Sequence, residues 1–315
     1  MIKEASVMKK IVLSVLIILL LVLVGCGRGP SEQMVEDDYH KGSRGLEMNF
    51  INNAPPYRIY EGDNLDISVE VWNRGAFPQD KTFQGKLEIS GFDPSSITGT
   101  WEGGNRIPTN LEGRSQYNIE GGYAVMSYRD RNGVHVPFDA DYYEPRIIVH
   151  SCYKYTTVAD PVVCIDPDPH ALVEERKVCN VNNVQIGGGQ GAPISVTNVE
   201  EEVGSDQIYF RIYVSNNGGG SVMLPRAYND CPFDVEIGEL DKVTAKVKLP
   251  HDASPECSPK GTASDPIRLT NGNGYMFCKF SKPATDSAYT TNLNIELDYV
   301  YSNSIEKQIK IINIK

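Results

Sequence analysis

Seven cysteines have the most chemistry to offer in this chain: Cys26, Cys152, Cys164, Cys179, Cys231, Cys257 and Cys278. Thiols pair, bind zinc or act as nucleophiles, and spacing helps separate these uses. No Cys-x-x-Cys occurs, and the intervals of 12, 15, 52, 26 and 21 residues from Cys152 onward match no zinc-ligand pattern. The last six cysteines therefore read as three disulfides, which leaves no thiol in the body of the chain for catalysis. The expected pairs are Cys152–Cys164 across a hairpin, Cys257–Cys278 across neighbouring strands, and Cys179–Cys231 by elimination.

The other reactive residue types form no catalytic set. Gly-x-Ser-x-Gly, His-Glu-x-x-His, a Walker loop and an Asp-x-Asp-x-Asp-Gly calcium loop are all missing from the sequence. Gly187-Gly188-Gly189-Gln190-Gly191 has the glycines of a phosphate cradle, but Ala192-Pro193 and the alternating Ile194 and Val196 follow it. A cradle needs a helix N-terminus there, so this run reads as a flexible lead into a strand. His135 and His150 fall in strand-like sequence without ligand spacing. No catalytic residue, cofactor or metal is expected, and the chain is not read as an enzyme. The possible ligand contacts are Trp101, in Thr100-Trp101-Glu102-Gly103-Gly104, and Tyr142 and Tyr143 among Asp139, Asp141 and Glu144. Exposed aromatics beside carboxylates suit a sugar or a protein partner, and the carboxylates alone a calcium ion. Asp166-Pro167-Asp168-Pro169-His170 reads as a semi-rigid connector.

The elements that must carry these residues are strands. Leu65, Ile67, Val69 and Val71 alternate with polar residues and end in Asn73-Arg74-Gly75. Ile208, Phe210, Ile212 and Val214 do the same and end in Asn216-Asn217-Gly218, at a constant offset of 143 residues. Period-two alternation describes a strand with one face in a core, and Asn-x-Gly supplies residues that tolerate a turn. Leu87-Glu88-Ile89 matches Val235-Glu236-Ile237 at an offset of 148. Further strands are expected at Arg146–Tyr155 and Val162–Ile165, joined by a short turn. Val243–Leu249, Tyr275–Phe280, Leu293–Tyr301 and Gln308–Ile314 follow, and Trp72 falls on an outward face. No stretch has sustained helical periodicity. The expected fold is all-β, two antiparallel β-sandwich domains spanning 46–168 and 169–315.

Charge limits the partners. Lys and Arg total 30 against 41 Asp and Glu, a net charge of −11. Removing residues 1–26 takes three Lys and one Glu, leaving 27 against 40, or −13. So acidic a chain is not expected to bind nucleic acid or to adhere electrostatically to anionic lipid.

The N-terminus resembles an export signal: Met8-Lys9-Lys10, an apolar run Ile11–Val24 broken only by Ser14, then Gly25-Cys26. Fourteen residues at about 1.5 Å each reach roughly 21 Å, short of a hydrocarbon core of about 30 Å. Leu23-Val24-Gly25-Cys26 resembles the lipobox of prokaryotic lipoproteins, which implies a lipid on Cys26 and a membrane-anchored place outside the cytoplasm. Residues 27–45 then form a flexible spacer, rich in Gly and charge.

The strand pattern ending in Asn-x-Gly after Gly62-Asp63 resembles the immunoglobulin-like modules of prokaryotic surface proteins, the CARDB type being the nearest. The overall layout is similar to exported proteins of archaeal cell envelopes. No Cys…Trp…Cys spacing of antibody domains is present. The resemblance implies tandem Ig-like modules and a lipid-anchored structural or adhesion protein making protein contacts at the envelope. The alternative is a glycan-binding surface lipoprotein, with Trp101, Tyr142 and Tyr143 lining one groove. Its partners are then the membrane, through Cys26, and envelope proteins or glycans.

Overall fold

Alternating apolar residues cannot be buried by one strand alone, so each must find both a lateral neighbour and a facing sheet. The computed structural model describes residues 39–78, 82–168, 177–252, 254–285 and 287–314. The expected signal segment with Cys26, most of the expected spacer and His170 lie outside the described residues. The first half forms β1 (Leu46–Phe50), β2 (Arg58–Tyr60), β3 (Leu65–Asn73), β4 (Gly85–Ser90) and β5 (Thr100–Trp101). It continues with β6 (Tyr123–Asp130), β7 (Tyr142–Tyr143), β8 (Arg146–Ala159) and β9 (Val162–Ile165). The second half forms β10 (Val184–Gln185), β11 (Ile194–Val203), β12 (Gln207–Asn216), β13 (Ser221–Met223), β14 (Lys242–Lys248) and β15 (Glu256–Ser258). It ends with β16 (Ile267–Arg268), β17 (Asn273–Ser281), β18 (Tyr289–Asn292), β19 (Asn294–Gln308) and β20 (Lys310–Ile312). The chain is all-β, with two short 3-10 turns at Pro225–Tyr228 and Ile237–Glu239 among the described residues.

The expected strand Arg146–Tyr155 does not turn back. It runs on to Ala159 and pairs antiparallel with β19 over fourteen positions, from Ala159↔Ile295 to Arg146↔Gln308. Neither strand contains Gly or Pro to break it, and Pro145 and Pro161 flank β8. This ribbon is the spine of a back sheet ordered β16-β14-β19-β8-β4, with β13 also on β19. Two front sheets pack on its inward face side by side: β1-β3-β6-β5 and β10-β11-β12-β17-β15. The described residues, from Tyr39 onward, therefore make one compact unit. The expected division at 168/169 separates two sequence repeats, but the sheets cross it: β8 pairs β19, β9 pairs β18, and β20 pairs β2 and β7.

The repeat is visible in hydrogen bonds at the centre of the ribbon. Tyr153, Tyr155, Tyr299 and Tyr301 are fully buried there, with neighbouring ring centroids 5.9–6.3 Å apart. Asn73 folds its own turn, accepting from Gly75 N at 3.2 Å and donating to Phe77 O at 2.8 Å. Asn216 does the same with Gly218 N at 3.3 Å and Gly220 O at 2.9 Å. The turn presents Phe77 N to the Tyr155 hydroxyl at 3.1 Å, and its counterpart presents Gly220 N to Tyr301 at 2.7 Å. Leu46 N donates to Tyr153, as Ile194 N does to Tyr299. A Cβ on Gly75 or Gly218 would overlap the Tyr155 or Tyr301 hydroxyl. Buried phenols need partners, and the front-sheet corners supply them.

Two sequence expectations are corrected here. Val235-Glu236-Ile237 is no strand: it leads into a 3-10 turn with Ile237 exposed, and β14 takes the place beside β19 that β4 takes beside β8. The far end of the expected spacer is also folded. Gly42 N donates to Gly188 O at 2.5 Å, and Gly42 O accepts from Ala192 N at 3.3 Å.

The disulfides are Cys152–Cys231, Cys164–Cys179 and Cys257–Cys278, with Cα separations of 6.1, 5.8 and 4.1 Å. Only Cys257–Cys278 is the expected pair, its residues lying directly opposite in β15 and β17. Cys152–Cys164 fails because β8 and β9 form no hairpin. Cys152 instead lies on the ribbon's outer face, buried with Val300 beneath the segment carrying Ala227 and Cys231. Three disulfides belong to an oxidising, extracytoplasmic setting. Among the described residues no helix is long and apolar enough to cross a membrane.

Candidate functional site

Because the two repeats share one inward design, their outward faces can be compared position by position. On β3 and its neighbour β6 the outward rows are Asp66/Arg129, Ser68/Ser127, Glu70/Val125 and Trp72/Tyr123. On β12 and β17 the matching rows are Tyr209/Lys279, Arg211/Phe277, Tyr213/Tyr275 and Ser215/Asn273. The inward residues at the centre of the two sheets, Leu65, Ile67, Val69 and Val71 on β3 and Ile208, Phe210, Ile212 and Val214 on β12, are apolar and buried. The outward ones differ at nearly every position, so scaffold and surface have parted company.

The second face is the more distinctive. Tyr209 and Phe277 stack at 5.6 Å and 18°, and Tyr213 and Tyr275 lie 6.2 Å apart at 46°. Tyr275 is 58% exposed and the other three rings are half-buried. Rows two residues apart along a strand are about 7 Å apart, so the lane of rings is roughly 14 Å long. Polar side chains border it: Asn198 and Gln185 on one flank, bonded to each other at 3.0 Å, Ser258 on the other, and Ser215 with Asn273 at the end. Both cations of the face are neutralised within it, Arg211 by Glu200 at 3.2 Å and Lys279 by Glu256 at 3.1 Å. Tyr213 donates to the same Glu200 at 3.0 Å. Alternation placed these residues outward, but only the pairing of β12 with β17 brings the four rings together.

The residues expected to touch a ligand are placed otherwise. Trp101 is half-buried and packs edge-on against Tyr128 at 5.7 Å, and Tyr143 packs on the same apolar cluster. The Tyr143 hydroxyl accepts from Asp93 N at 2.9 Å. Tyr142 alone is exposed, with the Lys310 ammonium 3.5 Å from its ring centroid, and Glu144 bonds the same Lys310 at 3.0 Å. The acidic–aromatic cluster thus clasps β20. Trp72 is outward as expected, against Tyr123 at 4.4 Å and beneath the Arg74 guanidinium at 4.3 Å.

Gly187–Gly191 is built into the junction of the front sheets: Gly191 O accepts from Tyr155 at 2.5 Å and from Ala76 N at 2.7 Å. His150 bonds Ser90 at 2.9 Å, burial lowering its pKa, while His135 is near Glu61 at 3.8 Å. Among the described residues no three His, Cys, Asp or Glu side chains gather as a metal site.

Two clefts flank the N-terminal segment. One of about 430 Å³ is lined by Arg44, Arg74 and Arg114, and one of about 240 Å³ reaches Tyr153 and Tyr301. The arginines are held by the protein itself: Arg44 by Glu47 at 2.6 Å, Arg74 by Glu120, and Arg114 by the Ile119 and Lys41 carbonyls. Elsewhere Asp166, in the expected connector, is buried against Lys177 at 2.7 Å. Glu201 lies close by, buried, with its Oε2 accepting from Cys164 N at 3.2 Å and its Oε1 without a hydrogen-bond partner among the described residues. Burial, reinforced by the Asp166 charge, pushes its pKa up to about 7.

No family model matches the sequence, and no curated protein matches it. A crystal structure of a DUF4466 family protein from Parabacteroides merdae aligns at 10% identity over 81% of this chain and 99% of that one. Its TM-score of 0.17 is too low to argue from, so the chain's own geometry carries the functional reading.

Proposed function

We propose that this chain is a lipid-anchored, extracytoplasmic binding protein of a prokaryotic cell envelope. It presents a rigid pair of Ig-like β-sandwich lobes for adhesive or structural contacts. The divergence of the outward faces over a duplicated inward scaffold carries this reading. A purely structural duplication would have no need of a second face carrying four outward-facing rings, and binding surfaces on such folds lie on faces and loops. The lobes share the β8–β19 ribbon and its buried tyrosines, so they present their faces in a fixed relation. The lipobox resemblance at Cys26 and the polar residues after it supply the tether, and the disulfides fit its extracytoplasmic place.

The test is fractionation of cells expressing the full chain, with mass spectrometry of its N-terminus. A diacylglyceryl-modified Cys26, accessible to external protease, and release of Cys26→Ala from the membrane fraction are expected. An unmodified chain whose Cys26→Ala variant stays membrane-bound would sink the proposal.

A further inference from the structure

We infer that the outward face of β12 and β17, with Tyr209, Tyr213, Tyr275 and Phe277, binds an uncharged polysaccharide chain. This inference rests on the binding-protein reading and names the ligand class for one of its surfaces. Three observations select that class. The outward residues of the two strands are of only two kinds, aromatic rings and hydrogen-bonding side chains; no Leu, Ile, Val or Met stands among them. A sugar ring has the same duality, with C–H bonds for a ring face and hydroxyls that both donate and accept. Protein contact cores share the rings and Arg211 but are depleted in Lys, Glu and Ser, and here Lys279, Glu256 and Ser258 stand among the rings.

The second observation is charge. Arg211 and Lys279 are each neutralised inside the face, and Glu202 on β11 adds a further exposed carboxylate. On a chain of net charge −11 this face offers no excess cation to a sulfated or uronic polymer. The third is shape. The rings stand on the open side of a five-stranded sheet, away from both clefts, in a lane of roughly 14 Å. A flat lane of this length takes several units of an extended polymer lying along it, whereas a small ligand needs concavity. The equivalent lane of the first repeat has Asp66, Ser68 and Glu70 in place of Tyr209, Arg211 and Tyr213, and serves as an internal control.

The experiment uses the full-length protein in detergent. Affinity electrophoresis through soluble neutral polysaccharides (a β-1,4-glucan, a β-1,3-glucan and a mannan) is run beside heparin and polygalacturonate, with pull-down on insoluble chitin and cellulose. Tyr275→Ala and Phe277→Ala are compared with Trp72→Ala, all outward-facing, and unchanged melting temperatures establish that each is folded. Retention by at least one neutral polymer is expected, weakened tenfold or more by Tyr275→Ala and unchanged by Trp72→Ala. Absence of neutral-polymer retention, retention by the anionic polymers alone, or equal retention of all variants overturns the inference. A photo-crosslinking residue at position 275 that captures a protein on intact cells, with no glycan retention, overturns it too, while the binding-protein reading survives. Failure of that reading shows separately, as loss of surface exposure.

Discussion

Glu201 gives the sharpest test of the packing described above. Its pKa rises from an ordinary 4.5 to about 7, so the folded state holds a proton that the unfolded chain releases near pH 4.5. Stability follows the difference in bound protons: below pH 4.5 both states are protonated and the group contributes no pH dependence. Between pH 4.5 and 7 the folded state binds more protons than the unfolded one, so stability falls as pH rises, and it levels off above 7. A rise from 4.5 to about 7, at about 1.36 kcal/mol per tenfold change in proton affinity, gives roughly 3 kcal/mol, or on the order of a hundredfold in the folding equilibrium. Glu201→Gln keeps the acceptor for Cys164 N and removes the titration. Urea unfolding of both proteins at pH 4.5 and 8.5 isolates the effect, because other carboxylates contribute equally to each. The variant should gain roughly 3 kcal/mol relative to wild type on going from pH 4.5 to 8.5. Parallel loss of stability in the two proteins would show that Glu201 is solvated or partnered, and would refute the argument.

Tyr155→Phe strips Phe77 N of its acceptor and should cost about 1–3 kcal/mol, a fall of several degrees in melting temperature. Tyr301→Phe should cost a similar amount through Gly220 N, and a negligible effect of both would contradict the duplicated corner. Gly75→Ala drives a methyl into the Tyr155 hydroxyl and should destabilise more than Gly238→Ala, whose Cβ position meets no neighbour and whose φ is not left-handed, as thermal melts will rank them. Replacing Cys152 and Cys231 together should cost about 4 kcal/mol in chemical denaturation, more than replacing Cys164 and Cys179. Their separations are 79 and 15 residues, and the longer link restricts the unfolded chain more.

Local pattern determined a good deal by itself. Alternation marked β3 and β12 with their inward and outward faces, because side-chain direction in a strand depends only on parity. The constant offset marked the duplication, Asn73 and Asn216 marked turns, and the even cysteine count marked disulfides. Tertiary structure decided what pairs with what. The partner of β8 lies some 150 residues away, and no local signal states that it extends past Tyr155 to meet β19. The cysteine pairing failed for the same reason: proximity in sequence favoured Cys152–Cys164, while the sheet turned Cys152 toward the segment carrying Cys231. Trp101 looked fully available because its neighbours are loop-like, and edge-on packing against Tyr128 leaves it half-buried. Tyr209 and Tyr213 were legible singly as outward positions, and Tyr275 and Phe277 only as strand residues. Their meeting in one lane depends on the β12–β17 register, a long-range hydrogen-bonding outcome that strand sequence leaves open.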